Sequence, residues 1–394
     1  MMRSVDDQSL RTLVRSLVSD GVIKLRWRPR LDVAPLAMPA DLNLADKIEG
    51  MLLGLAIGDA LGNTTESMNP SARHARDGWI DHYLPNYHAN GRSVGLPSDD
   101  SQLAFWTIEH LLQYGELDPQ RLGELFAQPG RQIFGGGQAT AHALSNIRRG
   151  MPWTRSGSPQ AGNGALMRIA PVLLAHLRHP TPALWTDTLA SAHVTHDDEL
   201  SNSSCIALVD LLWKLIGMSA SPDAQWWMEQ WIEVNDQIGC GTRYAARAGH
   251  PPGFVGTICD LLRGHVQPAL DKGLDVDAAG EIWHSGAYLL ETVPTVLYVR
   301  ARFGHDPKAA ILQAVNGSRD NDTVAAIVGA AVGALHGASA WPDEWVNKLL
   351  GRTREDDDGQ VFRLMMAAGK KFGYGVTPRL VMLAGLSTGS EPRD

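Results

Sequence analysis

Two short acidic stretches hold the densest potential chemistry in this chain: Ser98-Asp99-Asp100, and Asp320-Asn321-Asp322-Thr323. Together they offer four carboxylates and two hydroxyls. Hard oxygen donors of this kind suit Mg²⁺ or Mn²⁺ rather than zinc. Two such ions sit about 3.5–4 Å apart in binuclear hydrolytic sites and need several carboxylates between them. The alternative is plain helix capping, because Asp and Ser are favoured N-caps and each stretch opens an apolar helix. The pattern as a pair points to a shared site, since charge beside so apolar a helix is costly without a partner. A calcium EF-hand is excluded by spacing: Val324 would have to be acidic or Asn, and Ala325 would have to be Gly.

Other candidates are weaker singly. Glu66 lies just past the helix that ends in GDALGNTTE (Gly58–Glu66), where a general base or a substrate-polarising carboxylate could sit; a surface glutamate is the alternative. Asp59, inside that helix, is expected to cap a neighbouring helix or pair with a backbone amide. Gly135-Gly136-Gly137 opens a helix whose bare amides could bind phosphate, although no Gly-Lys-Ser/Thr ending follows and a tight turn would also account for it. Gly162-Asn163-Gly164 reads as a turn into an apolar helix bearing Arg168, or as a ligand-contacting loop. His193 and His196 have helical i, i+3 spacing. With no HExxH or cysteine partner, zinc is disfavoured and His196 reads as a substrate contact. Thr195 or Asp197 is the expected cap of the next helix.

The elements that must position these groups read as helices. In ADKIEGMLLGLAIGDALG, Gly50, Gly54, Gly58 and Gly62 recur every four residues and so share one face. Gly329, Gly333 and Gly337 repeat the spacing in NGSRDNDTVAAIVGAAVGALHG. Glycine costs about 1 kcal/mol in a helix interior, so this register predicts close helix packing at the centre of a bundle. Helical patterns continue over 117–126, 183–192, 200–216, 226–234, 252–263, 283–302 and 341–350. Residues 70–97 read as a long loop, and convincing alternating strands are absent. The expected class is all-α, a single large helical bundle domain spanning 43–394, preceded by an arm, 1–42.

The chain has 394 residues, 44% of them hydrophobic, and a net charge of −8. That length supports a large core. The acidic balance and the lack of a dense Lys/Arg run argue against nucleic acid. Cys205, Cys240 and Cys259 show no CxxC spacing, which suits a reduced cytoplasmic compartment. No apolar run reaches the roughly 20 residues of a membrane span, and Asp6, Asp7 and Asp20 argue against a signal peptide.

The ordered set GMLLGLAIGDALGNTTE, PSDDSQLAFWTIE, QAGNGALMRIAP, ASAHVTHDDELS, YLLETVPTVLYV and DNDTVAAIVGAAVGALHG resembles the ADP-ribosylglycohydrolase family over about 45–350. The resemblance implies an all-α hydrolase with two Mg²⁺ (or Mn²⁺) ions in a cleft. Its metal ligands would be Ser98, Asp99, Asp100, Asp320, Asp322 and Thr323. Glu66 and Asp100 would manage protons. Gly135, Gly136 and Gly137 would match the diphosphate loop, and Asn163 with Gly164 the ribose turn, with His196 and Arg319 as further substrate contacts. Ser98 and Asn321 stand where the family pattern has threonine. Arg319 stands where it has glycine, a cation beside the metals that could repel them or hold a phosphate. The implied reaction is release of ADP-ribose from protein, with arginine the leading acceptor. A serine or ester linkage and a non-catalytic ADP-ribose binder are the alternatives. The chain also resembles bacterial immunity hydrolases that counter ADP-ribosylating toxins, some with an N-terminal extension that blocks the toxin. By that analogy Arg26, Arg28 and Arg30 of the arm would mimic a target arginine.

Overall fold

The computed structural model describes residues 5–386 and is built almost wholly from helices. Among the described residues the only strands are Tyr244–Ala245 and Val255–Gly256, paired antiparallel. No helix among them is long and apolar enough to cross a membrane.

At the centre lie the helices Leu44–Gly62 and Asn321–His336, nearly all of whose residues are buried. The glycine register explains their approach. A Cβ placed on Gly50, Gly54, Gly58 or Gly62 would collide with the backbone of Gly337, Gly329, Ala325 or Asp322, in that order. A Cβ on Gly329 or Gly333 would likewise strike the Gly54 or Gly50 carbonyl. Small residues thus allow backbone-to-backbone contact, offsetting their poor helix propensity. The pairing is locked at one end by the Trp341 indole N–H, which donates to the Gly50 carbonyl at 2.8 Å. Lys47 donates there to the Leu335 and Met218 carbonyls.

Around this pair pack Asp99–Tyr114, Glu199–Ile216, Leu289–Phe303 and Pro307–Gly317. Several boundaries follow local chemistry. Asp99–Tyr114 stops at Gly115 in the left-handed conformation. Asp118 caps Pro119–Phe126 by accepting from the Arg121 N–H. The cap of Glu199–Ile216 is Asp198, which accepts from Leu200 and Ser201, rather than Thr195 or Asp197.

Four segments depart from the periodicity reading; one is 252–263, where the strand Val255–Gly256 comes first and the helix begins only at Ile258. The 70–97 loop begins with a helix, Pro70–Asp77, capped by Asn69. The apolar stretch after Asn163 forms turns and a 3-10 helix, Ala170–His176, with Pro171 breaking any longer helix. The pattern over 283–302 splits, because His284 and Ser285 take positive φ and turn the chain between Val276–Trp283 and Leu289–Phe303.

The N-terminal segment lies on the body of its own chain. Arg30 pairs with Asp210 and Glu233, both at 2.9 Å. The Trp185 and Trp213 indoles donate to the Val33 and Leu36 carbonyls.

Candidate metal centre

The C-terminal end of Leu44–Gly62 meets the N-terminal ends of Asp99–Tyr114 and Asn321–His336. This places Asp59, Asp99, Asp100, Asp320 and Asp322 together, all buried, with Glu66 exposed at their edge. Asp59, Asp100 and Asp322 each offer an oxygen within 4.8 Å of the others, and so do Glu66, Asp320 and Asp322. The two triads overlap at Asp322. Thr323 completes the wall, its hydroxyl 3.3 Å from Asp100 Oδ2.

The hydrogen bonds separate structural acids from available ones. Both Asp59 oxygens are engaged by the Ser98 N–H at 2.9 Å, and Oδ1 also by the Ser98 hydroxyl at 2.7 Å and the Asn63 amide at 3.1 Å. The Ser101 N–H reaches Oδ2 at 3.0 Å. Asp59 therefore caps the neighbouring helix from outside it, as expected for a charge in an apolar helix. Neither Ser98 nor Asp320, the residues at the two N-cap positions, makes a side-chain cap bond to its own helix. Asp100 Oδ1 is buried with no hydrogen-bond partner. An orphaned buried carboxylate oxygen, in an oxygen-only donor set, fits a hard divalent cation.

The electrostatics point the same way. Burial, then neighbouring acids, pushes the carboxyls of Asp99, Asp100 and Asp322 well above the usual range. Burial and Glu66 push Asp320 to about 7, despite the hydrogen bond from Asn163. Partial desolvation at the edge of the cleft, then Asp59, raises Glu66. The cluster carries mutual repulsion that a bound cation would relieve.

The other sequence candidates fall at different distances from this pocket. Gly135 takes φ +82, and a Cβ there would stand 3.1 Å from Asp99 Oδ1, so the glycine loop borders the acids. Gly137 caps Gln138–Arg148 without a side chain. A cleft of about 300 Å³ opens here, lined by Glu66, Ser98 and Gly135 and by Tyr87, His88 and Phe134. The Asn163 amide donates to Asp320 and to the Thr292 hydroxyl. His196 lies behind that turn, buried, its ring 3.0 Å from where a Gly164 Cβ would be. Burial, then Arg168, lowers it to about 3, so it is neutral. Arg319 turns to Glu281, at 2.8 Å, and to the His284 carbonyl.

Arg73 escaped the sequence reading because it lies in a segment without apparent periodicity. It is fully buried. Its guanidinium donates to the Val315, Asn316 and Ser318 carbonyls on one side and to Thr65 and Met68 on the other. It thereby ties the strand of chain entering Asp320 to the one carrying Glu66. Asn321 joins the same tie through the Thr65 hydroxyl, at 2.9 Å.

A mostly helical scaffold thus brings an acid-lined cleft to converging helix ends. The ADP-ribosylglycohydrolase family model matches residues 40–371, and the chain belongs to that family. It is 28% identical to an ADP-ribosyl-[dinitrogen reductase] glycohydrolase of Rhodospirillum rubrum, over 82% of this chain and 97% of that one. An ADP-ribosylarginine hydrolase of Pseudomonas putida is 26% identical, over 77% of this chain and 74% of the other. A solved structure described as an ADP-ribosylglycohydrolase-related protein complex has the same fold, with a TM-score of 0.59, 24% identity and coverage of 85% and 99%.

Proposed function

We propose that this protein removes ADP-ribose from modified arginine side chains, using two divalent cations, Mg²⁺ or Mn²⁺, held by Ser98, Asp99, Asp100, Asp320, Asp322 and Thr323. The observation that carries this reading is the pair of overlapping carboxylate triads beside an open cleft. Relatives named for ADP-ribosylarginine support the acceptor. Bound there, the cations would supply Lewis-acid polarisation. The rest belongs to this chain's residues. Glu66, at the mouth of the cleft, exchanges a proton with the reacting groups. Cleavage at the anomeric carbon passes through an oxocarbenium-like state, which the surrounding carboxylates favour by charge. Open amides at the start of Gln138–Arg148, beside Gly135, suit the diphosphate.

The test is release of ADP-ribose from an arginine-modified protein, with and without Mg²⁺. Expected are magnesium-dependent release and a fall of about a hundredfold or more in Asp320→Ala. Tight ADP-ribose binding without release would favour a non-catalytic binder or another linkage.

A second reading, immunity to an ADP-ribosylating toxin that the arm helps to block, is favoured by exposed apolar side chains at Val33 and Leu36 beside exposed Arg28. Arg26 and Arg30 already bond the body of the protein. Removal of residues 1–42 should abolish toxin binding and leave hydrolysis intact; equal binding by the truncated chain would sink this second reading.

A further inference from the structure

Glu291 is a buried acid that the chemistry above leaves unused. It lies in the first turn of Leu289–Phe303, 1% exposed. Neither carboxylate oxygen has a hydrogen-bond partner. Its ion pair, with Arg247, spans 3.5 Å, well beyond the 2.7–2.9 Å of a good charge-assisted bond. The next residue, Thr292, is the one whose hydroxyl accepts from Asn163, and the same amide donates to Asp320. Glu291 therefore stands beside the acid pocket, one residue from a hydrogen-bonded chain that enters it. Its charge raises the Asp320 carboxyl and that of Arg247 lowers it, so both reach the site electrostatically.

The Arg247 side chain is 62% exposed. Its guanidinium lies 5.1 Å over the Tyr288 ring. The next residue, Ala248, takes φ 57, a left-handed conformation that costs a non-glycine residue energy. Tyr288 is the N-cap position of the helix that carries Glu291. A buried carboxylate and an aromatic face thus form a socket for a planar cation, now partly filled by an arginine of the same chain.

We propose that Glu291 recognises the guanidinium of the acceptor arginine, and that Arg247 stands in for it in the free protein. This rests on the arginine reading above. A guanidinium matches a carboxylate in two parallel bonds and stacks on a tyrosine face. A neutral serine or ester acceptor uses neither. The entering arginine competes with Arg247 for one carboxylate, so Glu291 confers selectivity and Arg247 sets the threshold for occupancy.

The experiment compares kcat/KM on an arginine-linked and a serine-linked ADP-ribosyl peptide. In Glu291→Gln, which is nearly isosteric, the arginine-over-serine ratio should fall by about tenfold to a hundredfold. In Arg247→Ala, an exposed site, KM for the arginine-linked peptide should fall. In parallel, agmatine is titrated calorimetrically into each protein with ADP-ribose present. Wild type should bind it at least about tenfold more tightly than Glu291→Gln. Glu291-dependent agmatine binding without arginine-linked turnover would uphold the socket and overturn the reaction assigned above. Arginine-linked turnover with an unchanged ratio in both variants, and agmatine binding indifferent to Glu291, would uphold the reaction and overturn the socket.

Discussion

At the scale of single residues, the acids were legible in the sequence and their supports were not. Asp99, Asp100, Asp320 and Asp322 stand out because charge abuts apolar helices, and hydrogen bonding distinguishes them from caps: Asp59 caps the Asp99 helix instead. Arg73 carried no such signal, since its six acceptors are backbone carbonyls and a hydroxyl brought together only by folding. Arg73→Met should cost about 3 kcal/mol or more in urea unfolding, because several buried carbonyls lose their donor. Buried His110 predicts a pH effect. Burial lowers it to about 4 from its ordinary 6.5. A histidine depressed in the folded state stabilises above its unfolded pKa and loses that contribution as pH falls towards the folded value. Stability should therefore drop by about 2 kcal/mol from this group between pH 7 and pH 5. Urea titrations of wild type and His110→Gln should show that slope only in wild type.

At the scale of elements, glycine spacing revealed the central pair before any contact was seen. A period of four puts the small residues on one line, and in the structure the two lines face each other. Gly54→Ala should overpack the contact with Gly329 and cost about 3 kcal/mol, whereas Gly264→Ala, with open space at its Cβ, should not destabilise. Midpoints of urea denaturation for both variants would decide this. The misread segments have physical reasons as well. The 283–302 pattern is apolar across a turn, so periodicity carried through His284 and Ser285 although the backbone reverses there. After Asn163, Pro171 favoured 3-10 geometry over the helix that composition suggested.

At the scale of the molecule, the family match begins at residue 40, and the preceding segment is fastened to the body by Arg30 and by two indoles. Composition marked this segment as different but gave no sign of where it would dock, because its partners, Trp185, Asp210 and Trp213, lie far along the chain. Removing residues 1–42 should lower the melting temperature by roughly a few degrees, measured calorimetrically, as apolar surface around the tryptophans becomes exposed. The central glycine contact has one more consequence. With bare backbone against bare backbone, no side chain can swing aside to admit solvent. Amide protons of residues 52–61 and 324–333 should therefore exchange with deuterium only when the whole molecule opens. Those at the arm should exchange by smaller, local openings. The acids at the end of that slow-exchanging pair would then keep their spacing for as long as the protein stays folded.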